Sequence, residues 1–265
     1  MNFIKTDILS VFFCLFLLLK PIKFCIILRK SFSRESVWKE EKETMYFATR
    51  TVSSLEKVFC CPELPGERLD RISGAQGERV AFQLACRADS NLILEIECSS
   101  PFGEGVSLRE VGLVPCTQPA MPDDPYVLTH RPGLFPDALL PLENNRFRLS
   151  RNNWHALWCT VRIPPDMEPG EYEIAFRITT PQDLLIWKEP EMEHRTGIRL
   201  RVLPFRLPEQ KLLSANWFYA DCVSIRHRTA CWTEPFWKLL EAYFRNMVEH
   251  GNNVLYTPLW SVPLD

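Results

Sequence analysis

Alternation with period two dominates the middle of the chain. Val80, Phe82, Leu84 and Cys86 point one way, while Arg79, Gln83 and Arg87 point the other. Leu92, Leu94, Ile96 and Cys98 make a second apolar face. Tyr172, Ile174, Phe176 and Ile178 make a third, opposite Glu171, Glu173 and Arg177, and Ile198, Leu200 and Val202 make a fourth, with Arg199 and Arg201 outward. These are half-buried antiparallel strands. Residues 154–163 are apolar at nearly every position and predict a central strand. The proline-rich stretch 164–170 then turns the chain into Tyr172. Strands at this spacing, with no helical period between them, predict a β-sandwich.

The period changes near the end. Phe236, Leu239, Leu240, Tyr243, Phe244, Met247 and Val248 fall at i, i+3, i+4, i+7 and predict an amphipathic helix over 233–250. Thr233 is a good N-cap, Pro235 sits in the first turn where its missing N–H costs little, and Gly251 supplies the stop. The spacing predicts that this broad face covers a sheet. Apolar runs at 212–219 and 253–260 flank the helix. Strand, loop, helix and strand in that order predict a βαβ unit, and a lone one cannot cover its own strands. The expectation is the first section of an α/β domain whose remainder is missing.

Two segments interrupt these patterns. Residues 119–141 carry Pro119, Pro122, Pro125, Pro132, Pro136 and Pro141 and predict a long irregular excursion, read as a stiffened crossover in preference to a lip over a neighbouring site. Pro204 and Pro208 stiffen an exit from the last sandwich strand. The expected domains are therefore a leader at 1–44, a sandwich at 45–204, a linker at 205–211 and an α/β portion at 212–265.

The leader is a separate problem. Residues 8–19 form an apolar run that is too short to span a bilayer, which needs about 20 residues. The run fits the h-region of a signal peptide, with Lys5 before it, but no small-x-small cleavage site follows. Were this run and residues 24–28 to insert together, Lys20 and Lys23 would lie between them at high cost. Lys39-Glu40-Glu41-Lys42 stands just before Met45 and fits a translated ribosome-binding site, with Met45 as the start. A start at Met45 implies a cytoplasmic protein. A real signal or anchor at 8–28 implies a secreted or membrane-anchored one.

Composition narrows the chemistry. The apolar fraction of 46% and charged fraction of 24% are ordinary for a soluble globular protein. A net charge of −2 argues against a nucleic-acid partner. The 21 prolines against 10 glycines fit β structure with rigid loops. Ten cysteines include no C-x-x-C and no zinc-type Cys/His spacing, so they read as reduced, buried thiols. No phosphate-binding glycine loop and no G-x-S-x-G appears, and no cofactor is expected.

What candidate chemistry remains lies where the predicted parallel strands end, the edge that carries function in α/β folds. Tyr219 and Asp221 follow the first strand, with Trp217 beside them. Trp260 closes the second. A carboxylate among aromatic rings is what a sugar site needs, because rings take the apolar faces of sugars and a carboxylate accepts hydroxyl hydrogens. Asp221 reads equally as a loop or capping carboxylate. His227 reads as surface loop.

These residues resemble a family. Trp217-Phe218-Tyr219-Ala220-Asp221-Cys222, the helix at 236–250, Gly251-Asn252-Asn253 and Thr257-Pro258-Leu259-Trp260-Ser261-Val262-Pro263-Leu264-Asp265 look like the opening of the barrel of glycoside hydrolase family 123. Upstream, Pro132-Gly133-Leu134-Phe135-Pro136-Asp137 and Glu168-Pro169-Gly170-Glu171-Tyr172 resemble the β-sandwich that precedes that barrel. The resemblance covers about residues 45–265. It implies a β-sandwich followed by the first βαβ unit of an incomplete (β/α)8 TIM barrel. It implies a bacterial carbohydrate-metabolism hydrolase acting on β-linked N-acetylhexosamine glycosides. In such a retaining mechanism the substrate's acetamido group attacks, an Asp orients it and an adjacent Glu protonates the leaving group.

That Asp-Glu pair has no counterpart in residues 1–265, so no catalytic residue is carried over. Asp221, Tyr219, Trp217 and Trp260 are carried over as substrate-binding candidates, although many relatives have His at the Tyr219 position. The expectation is an inactive N-terminal fragment of a glycosidase-like protein. The alternative is a non-catalytic carbohydrate-binding or scaffold sandwich.

Overall fold

A computed structural model describes residues 46–117, 127–185 and 191–256. The chain divides at residue 44 into two units, and every element below belongs to the second. The leader and Trp260 lie outside the described residues.

Among the described residues twelve strands and three α-helices follow in order. They are β1 (Phe47–Ser53), β2 (Arg71–Gln76), β3 (Arg79–Ala88), β4 (Leu92–Ser99), β5 (Val106–Cys116), β6 (Gly133–Pro141), β7 (Arg146–Leu149), β8 (His155–Arg162), β9 (Gly170–Thr179), α1 (Gln182–Leu185), β10 (Glu193–Arg206), β11 (Ala215–Trp217), α2 (Ala220–His227), α3 (Glu234–Glu249) and β12 (Val254–Tyr256). Two five-stranded sheets hold most of them. Sheet A runs β1-β3-β8-β5-β6, and sheet B runs β2-β10-β9-β4-β7.

The alternating faces meet between the sheets. From sheet A come Phe82, Leu84, Cys86, Leu157, Cys159 and Val161. From sheet B come Leu94, Ile96, Ile174, Phe176, Ile178 and Leu200, all in one buried cluster. Phe82 and Phe176 meet edge to face across the layers, with ring centroids 6.1 Å apart. Segment 154–163 becomes β8 at the centre of sheet A, and its continuous apolarity has a cause. The chain between β1 and β2 lies over part of the outer face, so Val58 packs with Val52, Ala85, Trp154 and Ala156 in a second small core. Buried Gln83 fastens that chain by donating to the Ser53 and Glu56 carbonyls at 3.0 and 2.8 Å. The outer face of sheet B is ion-paired and solvated, with Arg177 between Glu97 and Glu193 and Arg146 against Asp183.

Of the proline-rich excursion, residues 119–126 lie outside the described residues and 127–132 are irregular. Its second half forms β6, the edge strand of sheet A, paired antiparallel with β5. Prolines are tolerated there because an edge strand leaves some N–H groups unpaired. Proline density alone misread this segment as loop.

The larger correction concerns the α/β part. The expected β-sandwich followed by the opening of a (β/α)8 TIM barrel is not what the chain shows. The described residues are mostly strand, and no succession of βα repeats occurs among them. After residue 211 the described chain holds one parallel pair, β11 with β12, each three residues long and largely exposed, while a second parallel pair, β2 with β10, lies within sheet B. The predicted loop between them contains α2, which ends at Arg228 in the left-handed region (φ 51°). Helix α3 forms as predicted, yet it buries only Phe236 and Leu240, while Tyr243 and Val248 stay exposed. Its apolar stripe dictates a helix but does not dictate a sheet beneath it. Here it packs on α2 and Phe218 in a small cluster of its own.

Candidate functional site

The parallel pair is pinned by asparagines rather than by burial. Asn253 Oδ1 accepts from the Ser214 N–H at 2.8 Å, and the Asn253 and Val254 N–H groups both donate to the Ser214 carbonyl. Asn253 Nδ2 reaches the Leu212 carbonyl, and Gln210 Nε2 donates to the Leu212 and Gly251 carbonyls. At the other end the Phe218 N–H donates to the Tyr256 carbonyl at 2.9 Å. These bonds set a register in which Trp217 lies directly opposite Tyr256.

That register builds an aromatic group at the carboxyl ends of both strands. The Trp217 and Tyr256 rings meet edge to face with centroids 4.5 Å apart, and Tyr219 stands 5.9 Å from Trp217. All three rings are open to solvent, at 57%, 54% and 47% exposure. Fixed, exposed rings of this kind offer π-faces to an apolar ligand surface.

Asp221 follows in the first turn of α2, where a helix N-terminus favours negative charge. Its Oδ1 accepts from the Cys222 N–H at 3.1 Å. Asp221 is not the N-cap, a place taken by Tyr219 without a side-chain bond, and its carboxylate keeps further acceptor capacity. His227 is not plain surface loop. It is the last residue of α2, and its Nε2 lies 3.0 Å from the Tyr243 hydroxyl of α3, tying the two helices together.

Of the four sequence candidates, the structure brings Trp217 and Tyr219 together and places Asp221 at the start of the next helix. Trp260 lies outside the described residues. Sequence reasoning missed Tyr256. The signal was the strand pairing: apolar runs at 212–219 and 253–260 in parallel register put an aromatic opposite Trp217 well before position 260.

A second polar cluster has a structural role. Burial holds the His155 imidazole below its ordinary pKa. The Ser150 N–H donates to His155 Nε2 at 3.0 Å, which makes Nε2 the unprotonated nitrogen, and the Ser150 hydroxyl lies 2.8 Å from the same atom. Cys60 Sγ is 3.7 Å away. Together they lock the turn from β7 into β8. The described cysteines are unpaired, and burial pushes the Cys98 thiol up to about 11, so it is inert as a nucleophile. Among the described residues no group of three or more His, Cys, Asp or Glu is gathered to hold a metal, and no helix is long and apolar enough to cross a membrane.

No family model matches the chain, and no curated protein matches it. Solved structures do. A family 123 glycoside hydrolase from Clostridium perfringens, described for its hydrolysis of glycolipid glycans, superposes with a TM-score of 0.61 at 13% identity. The match covers 79% of this chain and 37% of that enzyme, so this chain spans well under half of its neighbour's length. A PapD-like domain of human CEP192 and the Caenorhabditis elegans protein WR4 each align at a TM-score of 0.27, with 12% identity over 51% and 49% of this chain and 82% and 92% of theirs. Those two likenesses are too slight to bear on the fold. The described chain is thus similar in fold to part of a family 123 glycoside hydrolase, at an identity that speaks for the fold alone.

Proposed function

We propose that this chain is a carbohydrate-binding part of a glycosidase-like protein, and that its ligand is a glycan carrying a β-linked N-acetylhexosamine. The observation that carries this reading is the exposed aromatic group Trp217, Tyr219 and Tyr256 at the ends of two parallel strands, with Asp221 in the first turn of the helix that follows Tyr219. The apolar face of a pyranose ring packs on the indole and phenol faces, and the free oxygen of Asp221 accepts a sugar hydroxyl. Similarity of fold to a glycoside hydrolase supports the same ligand class.

Cleavage is a different matter. Substrate-assisted hydrolysis needs a carboxylate to orient the acetamido group and an adjacent acid to protonate the leaving oxygen. No Asp-Glu dipeptide occurs in the 265 residues. In this reading the chain binds its sugar and does not hydrolyse it unaided. The test is a pair of assays on the 265-residue chain: calorimetric titration with methyl β-N-acetylhexosaminides, and release of nitrophenol from the aryl glycosides. Binding without release is expected. Release above the rate of a boiled control contradicts the non-catalytic part, and absence of binding contradicts the whole.

A further inference from the structure

A cleft of about 360 Å³ lies between the outer face of sheet A and the last turn of α3. Strand register sets its floor. Arg79 on β3 stands opposite Arg162 on β8. One step along the same face, Ala81 stands opposite Thr160, which stands opposite Ser107 on β5. A further step places Trp158 between Gln83 and Arg109. Residues two apart on a strand share a face and are roughly 7 Å apart, so the three rows span about 13 Å. The middle row carries only short side chains. The result is a trough with two guanidinium groups at one end and an indole with a third guanidinium at the other. Asn246 and Glu249 of α3 and His250 just after it line the far side.

On sheet B carboxylates answer the arginines: Arg71, Arg146, Arg177 and Arg195 pair with them, and Arg199 and Arg201, which form no ion pair among the described residues, stand opposite Glu173 and Glu171 in the strand register. Among the described residues Arg79, Arg109 and Arg162 have no ion-pair partner, although Glu104 and Glu249 also line the cleft. Three guanidinium groups against two carboxylates leave the cleft with a surplus of positive charge. The indole N–H of Trp158 is already spent on Thr160 Oγ1 at 3.1 Å, so Trp158 offers a ring face rather than a donor. Guanidinium forks match the geometry of carboxylate and sulfate oxygens.

We propose that this cleft binds the acidic sugar of a glycan, with the acid group held between Arg79 and Arg162 and a neighbouring ring packed on Trp158. The inference rests on the reading that the chain binds carbohydrate, but it concerns a separate surface, and the acid group is a carboxylate or a sulfate ester. The test is calorimetric titration of the full chain with three disaccharides of one linkage: a uronic acid form, a sulfate ester form and a neutral form. A methyl β-N-acetylhexosaminide serves as the probe for the strand-end aromatics. One or both acidic disaccharides are expected to bind at least about tenfold more tightly than the neutral one, with the advantage shrinking as salt screens the contact.

The double variant Arg79→Gln/Arg162→Gln abolishes that advantage, and both side chains reach the cleft surface, so its thermal transition should match the parent. Trp217→Ala leaves the advantage intact. Equal binding of all three disaccharides, or an advantage that survives the double variant, overturns the inference. N-acetylhexosaminide binding with no acid preference overturns the cleft alone. Acid preference without N-acetylhexosaminide binding upholds the cleft and overturns the strand-end reading.

Discussion

Replacing Trp217 with alanine separates a binding role from a structural one. With 57% of its surface open, Trp217 contributes little to the core, and its main contact is the edge-to-face pair with Tyr256 at 4.5 Å. Such a pair is worth about 0.5–1.5 kcal/mol beyond its area, which bounds the expected loss of stability. The loss in binding is set by the ring face that a sugar would cover. Covering about 60 Å² of apolar indole surface at roughly 25 cal/mol/Å² is worth about 1.5 kcal/mol, close to tenfold in affinity. The assay is paired: urea unfolding for stability, and calorimetric titration with a methyl β-N-acetylhexosaminide for affinity. The expected result is a small shift in midpoint with about tenfold weaker binding. A variant that binds as tightly as the parent refutes the stacking argument. Large destabilisation would show that Trp217 is a packing residue and that its exposure misleads.

Three further outcomes follow from the fold. Phe82→Ala removes a fully buried ring that meets Phe176 between the sheets and should cost about 3–5 kcal/mol by urea unfolding, so a loss under about 1 kcal/mol would mean the sheets do not share that core. Gly197→Ala would place a Cβ 2.8 Å from the Ile174 carbonyl oxygen, so β9 and β10 must part locally, and a melting temperature unchanged by this substitution would contradict the pairing. Burial depresses His155 and His194 below the ordinary histidine value of 6.5, so the unfolded chain takes up protons first as pH falls; stability should be constant above about 6.5 and decline below it towards the folded-state values, and His155→Gln should flatten part of that slope. A slope of opposite sign between pH 7 and 5 would contradict the burial of these rings.

The strands were legible because one physical cause produces them. A strand buried on one face must alternate, and Phe82, Leu84 and Cys86 all turn inward as the period requires. Segment 154–163 was legible as central, yet its doubled apolarity hid a second partner, the chain around Val58. Residues 133–141 were not legible as β6, because prolines signal a turn in most contexts and are tolerated in a strand only at an edge. The amphipathic run at 234–249 showed a helix and misled about its setting, since periodicity tells which side is apolar and not what covers it. Trp217, Tyr219 and Asp221 were found by following strand ends. Tyr256 and the asparagine pins needed the pairing itself, which no local pattern prints. The cleft on sheet A was equally hidden: Arg79, Arg109 and Arg162 are scattered in sequence and become neighbours only through the β3-β8-β5 register.

The central claim is that sugar contacts the aromatic group at the ends of β11 and β12. Nuclear magnetic resonance of the chain with its tryptophan and tyrosine side chains labelled, titrated with a methyl β-N-acetylhexosaminide, tests it most directly. The account predicts saturable shifts at Trp217, Tyr219 and Tyr256, with Trp154, buried in the sandwich, unmoved. Shifts confined to other aromatic residues, or no shifts at any concentration, would contradict it.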